Sequence, residues 1–365
     1  MSSERMRAER RARRLDQLKA TQSVKRANAA LHQTWQAGRR PDYIRLRTGL
    51  VELPEKDKRQ PVLTQLIRLI RPRGLALRFY LLAIFEAQCR LEAGEKWTSS
   101  RHLSGPASWA DLIAVDGAYS TQAEKYMRDT KQRRTLADQR LRQVRSALQT
   151  LEAVGTRGKL VPGSGGSQAL VSVPLEGAVR QYKEFVLLNE LGRGELQTME
   201  PYSVPHPRYG TTFRVPADFF LKGWIHVLSD AEISVWLTLM SLFNRYPGKH
   251  REEGIYLYAA RRSRMGLRRD SWEDGCARLR DFGLIRYAVP PAREEKKVVA
   301  GGEQSPEDYE ASVAEFIEGF AEFDFSRPEP PAVYEPDRHQ LLKGFVIDAL
   351  NKVMMETTLR VKSLN

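Results

Sequence analysis

Apolar residues recur at three- and four-residue spacing along residues 270–282, where Trp272, Cys276, Leu279 and Phe282 make one helical stripe. Ser271 followed by Asp274 has the spacing of a capping box at the start of that helix. Gly283 stands where a helix end takes a left-handed residue. Residues 259–267 predict a shorter helix broken at Gly266. Ile255-Tyr256-Leu257-Tyr258 before it and Gly283-Leu284-Ile285-Arg286-Tyr287 after it predict short strands.

The same pattern occurs upstream. With Gly155 aligned on Gly283, Val144, Leu148, Leu151 and Val154 fall on Trp272, Cys276, Leu279 and Phe282. Apolar helices at 76–88 and 230–244 precede the two copies. Two helices across a tight turn, then a strand, is the order of a winged helix-turn-helix, and its repetition argues against accident. The expected fold class is mainly α with small β-wings (α+β), as two tandem winged helix-turn-helix domains. In the first copy, residues 159–161 and 169–173 predict two strands joined by Gly163-Ser164-Gly165-Gly166-Ser167, a flexible wing tip. That run lacks the Gly-Lys-Ser/Thr ending and following helix of a phosphate loop.

Basic residues cluster on both copies. Arg261, Arg262, Arg264, Arg268 and Arg269 lie on the first helix, the turn and the mouth of the second helix of the later copy. Arg140, Arg142 and Arg145 lie on or beside the polar side of the long helix of the earlier copy, after Arg133 and Arg134, and Lys159 opens its wing. Arginines so placed suit phosphates and base edges, and these eleven are the candidate DNA-binding residues. A solvated arginine face is the competing reading. Glu273 and Asp274 repel phosphate, so they point away from the backbone or accept from a cytosine amino group.

The rest of the chain divides as follows. Residues 1–59 are a basic N-terminal segment, either a frayed helix along DNA or a solvated tail, with a connector from 38 to 58. Residues 60–174 are the first winged-helix domain and 175–212 an interdomain helix, at 176–191, and a linker. Residues 213–365 are the second, interrupted by an acidic insert at about 290–340. Within the first domain, helices start at Ser108 with Asp111, Thr121 with Glu124 and Thr135 with Asp138; Ser229 with Glu232 starts the leading helix of the second. Residues 213–215 predict a strand and 216–220 a helix or turn. Residues 341–347 predict the returning wing strand and 348–356 a terminal helix.

The net charge of +14 points to a polyanionic partner. Residues 1–47 hold thirteen Lys and Arg against four acids, whereas residues 303–340 hold eleven acids against two arginines. Cys89 and Cys276 each sit inside an apolar pattern and read as buried thiols of a reducing compartment. No apolar run reaches membrane-spanning length and no secretory signal is visible, so a cytoplasmic protein is expected. The six histidines are scattered, with no zinc spacing, and the acids crowd the insert. The expectation is no enzyme, no catalytic residues, no metal and no cofactor.

Two wing modules, an interdomain helix and a basic balance over residues 60–347 resemble tandem winged-helix plasmid replication initiators. The inserts at 116–134 and 290–336 depart from the compact pattern. The resemblance implies modules bound in successive major grooves of repeated origin sites, and a dimer that represses its own promoter. By it, Arg142, Arg145, Arg268 and Arg269 are reading-helix residues. The implied partners are double-stranded DNA, replication proteins and a second copy of the chain. A winged-helix transcription regulator and a scaffold that recruits a partner through the acidic insert are the alternative functions.

Overall fold

The N-terminal segment folds as α1 (Ser3–Ala20), α2 (Ser23–Ala37) and strand β1 (Tyr43–Arg47). In the computed structural model, residues 3–52, 63–70, 74–99, 101–114, 118–120, 125–127, 135–155, 168–191, 200–206, 211–288, 338–342, 345 and 347–364 are described. Leu15 and Leu18 of α1 and Val24, Ala27 and Leu31 of α2 are buried in the main core. The expected frayed or solvated tail is therefore corrected: sparse leucines suffice because each meets a protein core rather than a coiled-coil partner. The connector is corrected as well, since β1 lies within it.

Next come α3 (Gln65–Ile70), α4 (Ala76–Arg90), the hairpin β2 (Ala118–Ser120)–β3 (Lys125–Met127) and α5 (Leu136–Glu152). Every residue of α4 from Ala76 to Cys89 is buried. An all-round apolar helix needs neighbours on all sides, and α2, α3, α5 and β1 supply them. Its charged residues are matched: Arg78 donates to the carbonyls of Ile225 and Leu228, and Glu86 accepts from Arg90. The start of the helix expected at Thr121 lies outside the described residues, and 125–127, which would continue it, are a strand. Ser108 and Asp111 do form their capping box, but it opens only a short 3-10 turn, Trp109–Leu112.

Short strands follow: β4 (Val171–Ser172), β5 (Leu175–Glu176), β6 (Val179–Arg180), β7 (Val186–Leu187) and β8 (Thr212–Pro216). The helix expected over 176–191 is absent. Gly177, at φ +60°, turns β5 into β6, and Phe185 and Leu187 are buried while Val179 is exposed. Val179, Tyr182, Phe185 and Val186 fit a helical spacing, but burial follows the alternation of Phe185 and Leu187 instead. β4 pairs with β7, whereas the predicted partner at 159–161 and the glycine tip lie outside the described residues.

β8 pairs antiparallel with β1, placing Ile44 opposite Val215 and Leu46 opposite Phe213, all four buried. Then come α6 (Asp218–Leu221), α7 (Trp224–Val227), α8 (Asp230–Arg245), α9 (Pro247–Glu252), α10 (Ala259–Arg264), α11 (Arg269–Asp281), β9 (Ile285–Tyr287), β10 (His339–Leu341) and α12 (Ala349–Ser363). Ser229 and Glu232 form the expected capping box of α8, and Trp236 of that helix stacks on Phe219 at 4.9 Å. The returning strand is His339–Leu341 rather than 341–347, and the terminal helix is longer than expected. One contiguous apolar core runs from Leu15 to Val353.

The fold is thus mainly helical with small antiparallel two-stranded sheets, an α+β chain. Its helices pack closely. Gly275, in the middle of α11, faces Val235 of α8, and an added Cβ would stand 2.6 Å from a Val235 methyl. Alanine gains up to about 1 kcal/mol of helix propensity there, but overpacking costs about 1–3 kcal/mol. Gly275→Ala is expected to lower the melting temperature; a higher one would show that α11 shifts freely on α8.

Candidate nucleic-acid interface

Both helices that carried the sequence alignment have the geometry it implied. Val144, Leu148, Leu151 and Val154 are buried on α5 and just after it, as are Trp272, Cys276, Leu279 and Phe282 on α11 and just after it. Gly155 and Gly283 end them at φ +81° and +72°. Each is preceded by a leading helix: α4 packs on α5, and α8 packs on α11. In the later copy, the order is α8, α9, a β-bridge at Ile255, α10, α11, β9 and β10, with His339 of β10 facing both Ile255 and Tyr287. In the earlier copy it is α4, a bridge at Lys96, the 3-10 turn at Trp109–Leu112, the hairpin β2–β3, α5, β4, the hairpin β5–β6 and β7. There Pro201 and Ser203 bridge Leu188 and Lys96, adding a strand-like segment that the later copy does not show among the described residues.

The outward faces of the two helices differ. On α5, Thr135 and Asp138 form the expected capping box. Opposite the buried stripe stand Arg142, Arg145, Ser146 and Gln149, all exposed. The Arg145 guanidinium lies 5.8 Å from the Tyr182 ring centroid, and the Gln149 amide donates to the Tyr182 hydroxyl. Tyr182 thus flanks this face, a placement hidden in the sequence because it lies within 176–191, where the expected helix does not form. Arg140 is half-buried on the side of α5.

On α11, the face opposite the core carries Asp270, Asp274 and Asp281, and α1, which packs along α12, reaches it with side chains. Arg7 pairs with Asp274 at 3.2 Å, and Glu4 pairs with Arg278 at 3.3 Å. Arg360 of α12 joins the set, 3.1 Å from Asp281 and hydrogen-bonded to Glu4. The Arg360 hydrogen bond and charge hold the Glu4 carboxyl below its usual range. Arg11 sits 4.7 Å over the Phe282 ring and grips Glu232 with both nitrogens. The partners of Glu4, Arg7 and Arg11 are more than 200 positions away in sequence, so no local pattern announces them.

The other later-copy arginines are distributed as follows. Arg268 is exposed at the N-cap position of α11, and Arg269 is exposed and paired with Glu273 at 2.7 Å. Arg261 points inward to the buried Glu52 at 3.4 Å, which Arg245 also reaches at 2.8 Å, so it ties α10 to the N-terminal segment. Arg262 is half-buried. Arg133, Arg134, Lys159 and the side chain of Arg264 lie outside the described residues. The predicted capping box at Ser271 and Asp274 is corrected: the N-cap of α11 is Arg268, three residues earlier, and Asp274 pairs with Arg7.

Cys89 and Cys276 are buried free thiols, and burial pushes the Cys89 thiol up to about 12. Among the described residues, no group of three or more His, Cys, Asp or Glu is placed to hold a metal ion, and no helix is long and apolar enough to cross a membrane. No family model, no curated protein and no solved structure matches the chain.

Proposed function

We propose that this chain binds duplex DNA sequence-specifically, with α5 as the leading reading helix, and that it does so as a non-catalytic initiator at repeated plasmid origin sites. The observation that carries the reading is the outward face of α5: two exposed arginines, a serine and a glutamine opposite a fully buried stripe. Arginine bidentate to guanine and glutamine bidentate to adenine are the main major-groove pairings. The repeated order of leading helix, bridge, second helix or 3-10 turn, long helix and paired strands supports two winged-helix modules. The net charge of +14 supports a phosphate-rich partner. The replication setting rests on the resemblance to tandem winged-helix plasmid replication initiators alone.

The two modules are not equivalent in this reading. α11 offers mixed charge on the face left beside α1, so it contributes orientation more than base reading. Selection of bound sequences from a random pool separates the roles. Arg142→Ala with Arg145→Ala is expected to relax preference, each good bidentate pair being worth about 1–3 kcal/mol of discrimination. Arg268→Ala with Arg269→Ala is expected to weaken all sequences more evenly, lowering the logarithmic salt slope by about 0.9 for each phosphate left without its cation. An unchanged sequence profile for the α5 pair, in protein that melts normally, would remove α5 from the reading role. Affinity independent of salt would remove DNA binding altogether.

A further inference from the structure

We propose that the cleft enclosed by α1, α8, α11 and α12 is a binding site for a compact polyphosphate of the size of a nucleoside triphosphate. The cleft has a volume of about 920 Å³ and is lined by eight arginines against five carboxylates, with a sixth carboxylate, Glu4, bonded to Arg278 and Arg360. Small-ligand pockets run to roughly 300–1,000 Å³, so the space suits one nucleotide-sized molecule. The carboxylates are already engaged. Asp230 lies 3.0 Å from Arg78, Asp274 is paired with Arg7, Asp281 with Arg360, and Glu232 with Arg11. Glu356 pairs with Lys352 at 2.7 Å. Arg13 is exposed and lines the cleft, and no carboxylate pairs with it among the described residues.

Cations in excess around a small concave space call for a ligand with several negative charges. A single carboxylate supplies one; a polyphosphate supplies several, in the tetrahedral oxygen geometry that guanidinium forks match bidentately. Ser271, in the first turn of α11, also lines the cleft, and no side chain caps that helix start. Depth selects a small ligand over a duplex. Arg78, part of the lining, has a side chain only 6% exposed, beyond the reach of a phosphate on a rigid double helix. Because α1 supplies Arg7, Arg10, Arg13 and Arg14 to the lining, an occupant fastens α1 to α11.

The site is independent of the DNA-binding reading, and the experiment keeps the two apart. The full chain is titrated calorimetrically with inorganic tripolyphosphate, with a nucleoside triphosphate and with a short duplex, and its melting is followed with each. The expected result is saturable binding of the first two, with a rising melting temperature. Arg10→Ala with Arg13→Ala, both at exposed positions, should weaken that binding about tenfold or more, the scale of losing a charged hydrogen bond, while the sequence preference for DNA stays as it was. If that variant melts early, Ser271→Asp serves instead: it sets a carboxylate on the cleft wall and should abolish binding by repulsion. Binding undiminished in these variants, or no saturable binding by either compact ligand, overturns the site. Displacement of bound tripolyphosphate by the duplex overturns the assignment to a compact ligand.

Discussion

Arg11→Ala is expected to destabilise the chain by about 3–5 kcal/mol at neutral pH, the range for stripping the partner from a buried charge. Glu232 is only 5% exposed, and Arg11 reaches its two oxygens, one of them at 3.0 Å. The same carboxylate accepts from the backbone N–H of Ser229 at 2.8 Å, closing the capping box of α8. Burial pushes the Glu232 carboxyl up, but the Arg11 charge, the Arg11 hydrogen bond and the Ser229 bonds outweigh it, and the net direction is down. A carboxyl depressed in the folded state contributes stability above its unfolded range. That contribution fades as pH falls through the lower folded value. Without Arg11 the burial remains and the compensation goes, so the direction reverses. The deficit of the variant should then be largest at neutral pH and shrink in acid, as Glu232 takes up a proton. Denaturant titration of both proteins across pH measures this. A deficit that does not change with pH would mean that Glu232 is not the group left exposed to the loss.

The Arg11 result also bears on function, because α1 packs along α12 and pairs its side chains with α11. Deleting α1 removes Leu15 and Leu18 from the core, so a truncation tests folding as much as DNA binding. Point variants in α1 are the cleaner probe. The mechanism that anchors α1 is a set of ion pairs with groups on α8, α11 and α12, supported by two buried leucines. Exposed members such as Arg7 with Asp274 contribute little individually; the buried pair at Glu232 dominates.

Local chemistry was legible in the sequence where it stayed local. Capping boxes at Ser108, Thr135 and Ser229 rest on three-residue spacing, and all three form. The matched stripes ending at Gly155 and Gly283 rest on helical spacing and a left-handed terminus, and burial and φ agree. What failed involved competition or distance. Residues 176–191 carry a helical apolar spacing, but the turn at Gly177 and the alternating burial of Phe185 and Leu187 make strands of them. Ser271 and Asp274 had the right spacing for a cap, but α11 already starts at Arg269, so Ser271 lies inside its first turn. Arg261 read as a surface cation because nothing in its neighbourhood reveals Glu52 as its partner. For the candidate interface, the exposure of Arg142 and Arg145 followed from the α5 stripe itself, while the flanking Tyr182 required the chain to return from β6.

The N-terminal strand should show the second large effect. Arg47, at the end of β1, donates to Glu190 at 2.5 Å and to the carbonyl and hydroxyl oxygens of Ser203 at 2.8 and 3.1 Å. The Glu190 side chain is fully buried, and its other oxygen accepts from the Arg47 backbone N–H at 3.2 Å. Burial pushes the Glu190 carboxyl above its usual range, and the Arg47 charge opposes this without overcoming it. For a carboxyl raised in the folded state, the unfolded chain ionises first, so stability falls as pH rises from the ordinary carboxylate range through the folded value. Arg47→Ala takes away the opposing charge and steepens that fall, with a loss of about 3–5 kcal/mol at neutral pH. Glu190→Gln placed in the Arg47→Ala background removes the stranded charge and should recover much of the loss, a coupling of roughly 0.5–3 kcal/mol in a double-mutant cycle. The cycle, run by denaturant titration at neutral and mildly acidic pH, separates this from simple loss of packing over Tyr202, whose ring centroid is 5.5 Å from the Arg47 guanidinium. Equal losses with and without Glu190 would show that Arg47 neutralises nothing there, and that β1 is held to β8 by the apolar pairing of Ile44 and Leu46 with Val215 and Phe213.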